Sequence, residues 1–166
     1  MILVSACLLG KKVKYDGGAN DNELLLKYES TGCFLPVCPE CIGGLNTPRK
    51  PAEIQKGTGA DVIAGRTVVS DKDGKDVTAE FVRGAEGLLE LVRKHNVKIA
   101  VLKENSPSCG NANIYDGTFF HKKISGQGVA ASLISEAGVT IYSENDLTED
   151  LVKDLIQADM AENGKL

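Results

Sequence analysis

The chain contains no tryptophan, and with four tyrosines and four phenylalanines its aromatic content is only 5%. That scarcity excludes an extended base-stacking platform of the kind that binds single-stranded nucleic acid. Positive charge is in the minority: 19 Lys and Arg against 23 Asp and Glu leave a formal net charge of −4. A general nucleic-acid binder carries a basic face to neutralise phosphates, so this balance argues against one. No apolar run approaches the roughly 18 residues needed to span a bilayer. The apolar stretch 1–9 has its basic residues, Lys11 and Lys12, after it rather than before it, the reverse of a secretory signal. A cytoplasmic protein with no membrane attachment is expected.

What is present fits an ordinary globular protein. The 166 residues are 42% hydrophobic and 25% charged, which predicts a single domain over 1–166 and leaves the oligomeric state open. Short runs rich in Val, Ile and Leu predict buried strands at Ile2–Ala6, Cys33–Val37, Lys98–Leu102 and Val139–Tyr142. Thr67–Ser70 is a fifth candidate, ended by the turn formers Asp71-Lys72-Asp73-Gly74. Helical spacing predicts helices over Asn22–Tyr28, Thr78–His95, Val129–Ala137 and Leu147–Glu162. Asp76 or Thr78 is a candidate cap for the second, Gly138 closes the third, and Asp146 or Thr148 starts the last. Strands alternating with helices imply parallel pairing through right-handed crossovers, hence a three-layer α/β sandwich: a mainly parallel sheet with helices on both faces. Pro48–Arg66 shows no periodicity and reads as a long loop over the sheet edge.

Five cysteines are the feature to explain. Their number is odd and the chain is too long to need staples, so a secreted disulfide framework fits poorly. Cys33 lies within a buried strand and reads as core. Cys7, Cys38 and Cys109 each follow a predicted strand, so parallel strands would carry all three past one edge of the sheet, where open α/β folds place ligands. Cys38-Pro39-Glu40-Cys41 is also a CxxC pair. Two readings follow from it: a dithiol with a pKa lowered by a helix N-terminus, or zinc held by Cys7, Cys38, Cys41 and Cys109. A third reading is a [4Fe-4S] cluster held by three thiolates, leaving one iron open to a sulfur-bearing substrate.

The motifs Ser5-Ala6-Cys7-Leu8-Leu9-Gly10, Val13-Lys14-Tyr15-Asp16-Gly17, Pro36-Val37-Cys38-Pro39-Glu40 with Gly43-Gly44-Leu45-x-Thr47-Pro48-Arg49, and Ser106-Pro107-Ser108-Cys109-Gly110 resemble the TudS thiouracil desulfidase family. Ile114-Tyr115-Asp116-Gly117-Thr118-Phe119 and Gly126-Gln127-Gly128-Val129 extend the resemblance over about residues 1–145. Some members of that family carry an additional C-terminal domain, which a chain of this length is not expected to hold. The resemblance implies a [4Fe-4S] cluster on Cys7, Cys38 and Cys109, with Glu40 and Ser106 matching the family's candidate catalytic residues. Cys41 departs from the pattern. The implied activity is hydrolytic, non-redox exchange of a thiocarbonyl sulfur for oxygen in a small thiolated pyrimidine base or nucleotide. Here Glu40 would take a proton from water and Ser106 would donate a hydrogen bond or proton to the ring. Tyr15, Asp16 and Asn111 lie beside the cysteine motifs and are expected to line the substrate pocket. Arg49 and Lys50 read as solvated, His121 as structural or exposed, and Gly126-Gln127-Gly128 as a tight turn rather than a phosphate cradle.

Overall fold

In the computed structural model, which describes residues 1–164, four parallel strands form the central sheet. They are β1 (Ile2–Ser5), β2 (Phe34–Val37), β5 (Ile99–Leu102) and β8 (Thr140–Ser143), in the order β2-β1-β5-β8. Each lies within a residue or so of its expected position, because each is a short buried run whose boundaries are marked by turn residues. Of the expected span 1–166, Lys165 and Leu166 lie outside the described residues.

Successive strand residues face opposite ways, and this divides the core in two. Leu3, Val37, Ala100 and Leu102 face one side, where Phe81, Ala85 and Leu88 of α4 (Thr78–Lys94) and Ala130 and Ile134 of α5 (Val129–Glu136) cover them. Ile2, Val4, Phe34 and Val101 face the other, against Leu25 of α1 (Glu23–Tyr28) and Val152, Leu155 and Ile156 of α6 (Glu149–Glu162). Helices therefore cover both faces, and the three-layer α/β sandwich is observed. Cys33 is fully buried in the second cluster, as core.

One hairpin, one strand of a second and a short helix were not legible in the sequence. Within Pro48–Arg66, expected as loop, stand β3 (Ala52–Ile54) and α3 (Gly59–Ile63). The fifth candidate strand is β4 (Val69–Asp71), and it pairs antiparallel with β3 rather than joining the parallel sheet. A second small hairpin joins β6 (Asn113–Tyr115) to β7 (Lys123–Ser125). Elements of three to five residues are too short to show a period. The caps also sort themselves. Thr148 accepts Leu151 N–H at 3.1 Å and starts α6. Val77 occupies the α4 N-cap, while the Asp76 carboxylate accepts the Thr78 N–H at 2.8 Å.

The fold has a topological switch point. The chain leaves β1 toward β2 on one side and leaves β5 toward β8 on the other. The carboxyl ends of β1 and β5 therefore border a crevice, the position at which doubly wound sheets bind ligands.

Candidate active site

Backbone hydrogen bonds at the sheet edge place the cysteines. After β1 the chain turns into a single 3-10 turn, Ala6–Leu9, which ends at Gly10 in a left-handed conformation (φ 77°). Cys7 is buried in that turn, and Asn20 Nδ2 lies 3.5 Å from its sulfur. Cys38 is the N-cap of α2 (Pro39–Ile42), a one-turn helix begun by Pro39, whose fixed φ and missing N–H suit the first helical position. Cys109 lies in the loop after β5, which is tied down from three directions. Ser106 Oγ accepts the N–H groups of Ser108 and Cys109, both at 3.1 Å. The buried Glu104 carboxylate accepts the N–H groups of Asn105, Asn111, Ala112 and Asn113. At the start of α5, Val129 N–H and Ala131 N–H donate to the carbonyls of Pro107 and Ser108. With Gly128 N–H donating to Gly110, these amides have partners. The Gly126-Gln127-Gly128 turn thus positions the Cys109 loop and is not a phosphate cradle.

The three thiols line one cavity of about 340 Å³, together with Glu40, Ser106 and Tyr15. Cys7, Cys38 and Cys109 are all unbridged. Burial raises each thiol above the ordinary cysteine range. Asn20 opposes the rise at Cys7, Cys38 is pushed up to about 12, and at Cys109 a hydrogen bond with Ser5 opposes it. The negative charge of Glu40 adds to the rise at Cys109. Glu40 is itself raised by burial, with the Arg49 guanidinium pulling the other way.

Two expected pocket residues are elsewhere. Asp16 is exposed, accepts the Gly18 N–H at 2.9 Å and faces Lys14 at 3.6 Å, outside the cavity lining. Asn111 also lies outside it: its amide donates to Ile141 O and its oxygen accepts from Gln127, so the side chain is occupied in bracing the loop. Cys41 does not line the cavity; its sulfur lies 3.7 Å from Thr47 Oγ1.

Other lining residues were missed. Arg49, read as solvated, has a side chain only 8% exposed, whereas Lys50 is solvated and lies 3.7 Å from Asp73. Lys103 lines the cavity and pairs with Glu144 at 2.7 Å. Its place directly after β5 was the available signal. Glu53, on the unforeseen β3, is buried in the wall and accepts the N–H groups of Gly117 and Phe119. His121, on the loop those bonds secure, reaches the cavity and meets Tyr115 edge to face at 6.2 Å.

The donor geometry separates the alternatives. Four-thiolate zinc needs its sulfurs about 2.3 Å from a single point. Among the described residues no group of three or more His, Cys, Asp or Glu is so placed, and Cys41 is out of the cavity. A four-iron cluster takes each cysteine on a different iron, so its ligands need only surround a common space. An activated dithiol needs a lowered pKa; that of Cys38 is raised.

The family model described as 2-thiouracil desulfurase matches residues 2–146. The chain belongs to that family. Every cavity residue named above falls within the matched span of the 2-thiouracil desulfurase family. The uncharacterized protein YbbK of Bacillus subtilis (strain 168) is 44% identical over 151 residues, covering 91% of this chain and 100% of that protein. A solved structure of the [4Fe-4S]-dependent thiouracil desulfidase TudS superposes with a TM-score of 0.80 at 41% identity, over 93% of this chain and 97% of that one. Among the described residues no helix is long and apolar enough to cross a membrane.

Proposed function

We propose that this member of the 2-thiouracil desulfurase family is a [4Fe-4S]-dependent enzyme that exchanges a thiocarbonyl sulfur for oxygen by hydrolysis, on a small thiolated pyrimidine base or nucleotide. The observation that carries the reading is one cavity faced by three free thiols and by a carboxylate whose charged neighbour, Arg49 Nε, stands 3.5 Å away. The donor set fits the cluster: three soft sulfur ligands surround one space, and no other cysteine enters it. Cys7, Cys38 and Cys109 would hold it as thiolates, and the metal would displace protons that burial otherwise retains. When bound, the cluster supplies a sulfur-seeking Lewis acid that makes the thiocarbonyl carbon electrophilic.

The protein's own residues do the remainder. Glu40 accepts a proton from the water that attacks this carbon. The hydroxyl of Ser106 already accepts two N–H groups, so its proton is the part left to donate to the ring. Tyr15 stands at the rim, 46% exposed, and Tyr115 also lines the cavity, so two aromatic side chains border the space a planar base would occupy. The overall change is thiocarbonyl plus water to carbonyl plus hydrogen sulfide, which consumes no electrons.

The test is turnover of 2-thiouracil and its nucleotide by anaerobically reconstituted protein in ¹⁸O-labelled water, without reductant. Labelled carbonyl oxygen and released sulfide are expected. Glu40→Gln is expected to retain cluster absorbance and to lose on the order of 100-fold or more in kcat. A requirement for a reductant, or full activity of Glu40→Gln, would overturn the mechanism.

A further inference from the structure

The guanidinium of Arg49 is anchored on two separate stretches of chain. One terminal nitrogen donates to Val13 O at 2.9 Å, and the other to Asn46 O at 3.3 Å and Thr47 Oγ1 at 3.0 Å. The backbone N–H of the same residue donates to Tyr15 O at 2.7 Å. The donor left over is Nε, which is buried, has no aligned acceptor, and lies 3.5 Å from Glu40 Oε1. A buried polar group left in that state calls for an explanation. A forked, bidentate pair would occupy both carboxylate oxygens; this one attracts the carboxylate without closing on it. The pair also stands where the main cavity meets a second one of about 200 Å³, for Glu40, Arg49 and Ala52 line both.

We propose that Arg49 is a positioning residue for Glu40: its anchorage holds a fixed positive charge beside the carboxylate, orienting it toward the cavity while leaving its lone pairs free for a water proton. The inference rests on the reading of Glu40 as the base. Lysine at position 49 would keep a charge but lose the fork that fixes it.

The experiment is a double-mutant cycle on anaerobically reconstituted protein, reading kcat, KM and cluster absorbance with 2-thiouracil for Glu40→Gln, Arg49→Gln and the double variant. Arg49→Gln is expected to keep the cluster and KM and to lower kcat on the order of tenfold. The double variant is expected to be no slower than Glu40→Gln alone, because a residue acting only through its neighbour has nothing to add once that neighbour is gone. A role confined to bracing the 13–15 segment would instead lower cluster content, or multiply the two losses, and either result overturns the proposal. Wild-type kcat in Arg49→Gln beside a slow Glu40→Gln overturns it while leaving the base reading intact. A fully active Glu40→Gln overturns both. Should Arg49→Gln fail to fold, Arg49→Lys is put through the same cycle with the same criteria.

Discussion

Gly84 of α4 lies against the carbonyl of Pro39 with no room for a side chain: a Cβ at position 84 would stand 2.0 Å from that oxygen. The contact is reciprocal, since a Cβ at Gly43, just after α2, would stand 1.9 Å from Glu80 O. Close backbone packing thus seats the one-turn helix that carries Cys38 and Glu40 on the longest helix of the fold. In an open helix Gly→Ala gains roughly 0.5–1 kcal/mol. Here Gly84→Ala is expected to cost about 1–3 kcal/mol through overpacking and to lower turnover by displacing α2. Thermal unfolding and kcat check this; a raised Tm with full activity would contradict the packing account.

The cysteines are expected to fall into two classes. Cys7→Ala, Cys38→Ala and Cys109→Ala should lose iron, acid-labile sulfide and activity together, because each removes a thiol that faces the cavity. Cys41→Ala should retain all three, because Cys41 does not line the cavity. Iron analysis after anaerobic reconstitution decides the matter. Loss of the cluster in Cys41→Ala would require a fourth ligand and a rearranged α2.

Glu104 borders the cavity, and its carboxylate is spent on organising the Cys109 loop. Its Oε1 accepts four backbone N–H groups, from Asn105, Asn111, Ala112 and Asn113. Glu104→Ala leaves those donors without a partner and is expected to destabilise the fold by about 3 kcal/mol or more, with reduced iron uptake. Glu104→Gln keeps one acceptor oxygen and should lie between that variant and the wild type. Denaturant unfolding of the metal-free protein measures the first effect separately from the second.

Acid should loosen the tie between α1 and α6. Hydrogen bonds from Lys27, then from Tyr28, to Glu149 hold its carboxyl down at about 2, against an ordinary value of 4.5. A carboxyl with a depressed folded-state pKa contributes stability above its unfolded pKa and loses it as pH falls through the folded one. The contribution should therefore be complete above about pH 4.5 and disappear toward pH 2. Because the group is exposed, added salt should weaken it. Acid titration of stability for wild type and Glu149→Gln checks the sign: the variant should show a shallower decline over that window.

The sequence by itself determined the four parallel strands, the main helices and the emergence of Cys7, Cys38 and Cys109 at strand ends. Each of those features is local: a buried strand is a contiguous apolar run, and a helix repeats its apolar face every three or four residues. It also determined that Glu40 accompanies Cys38, since only Pro39 stands between them. Only the tertiary structure decided which other side chains share their space. Tyr15 and Asp16 are neighbours in sequence, yet the first lines the cavity and the second hydrogen-bonds its own turn. Arg49 is buried because carbonyls of Val13, Asn46 and Tyr15 converge on it, and Asn111 is withdrawn because Ile141 and Gln127 occupy its amide. Such outcomes depend on hydrogen bonds between segments distant along the chain, and no local periodicity encodes them.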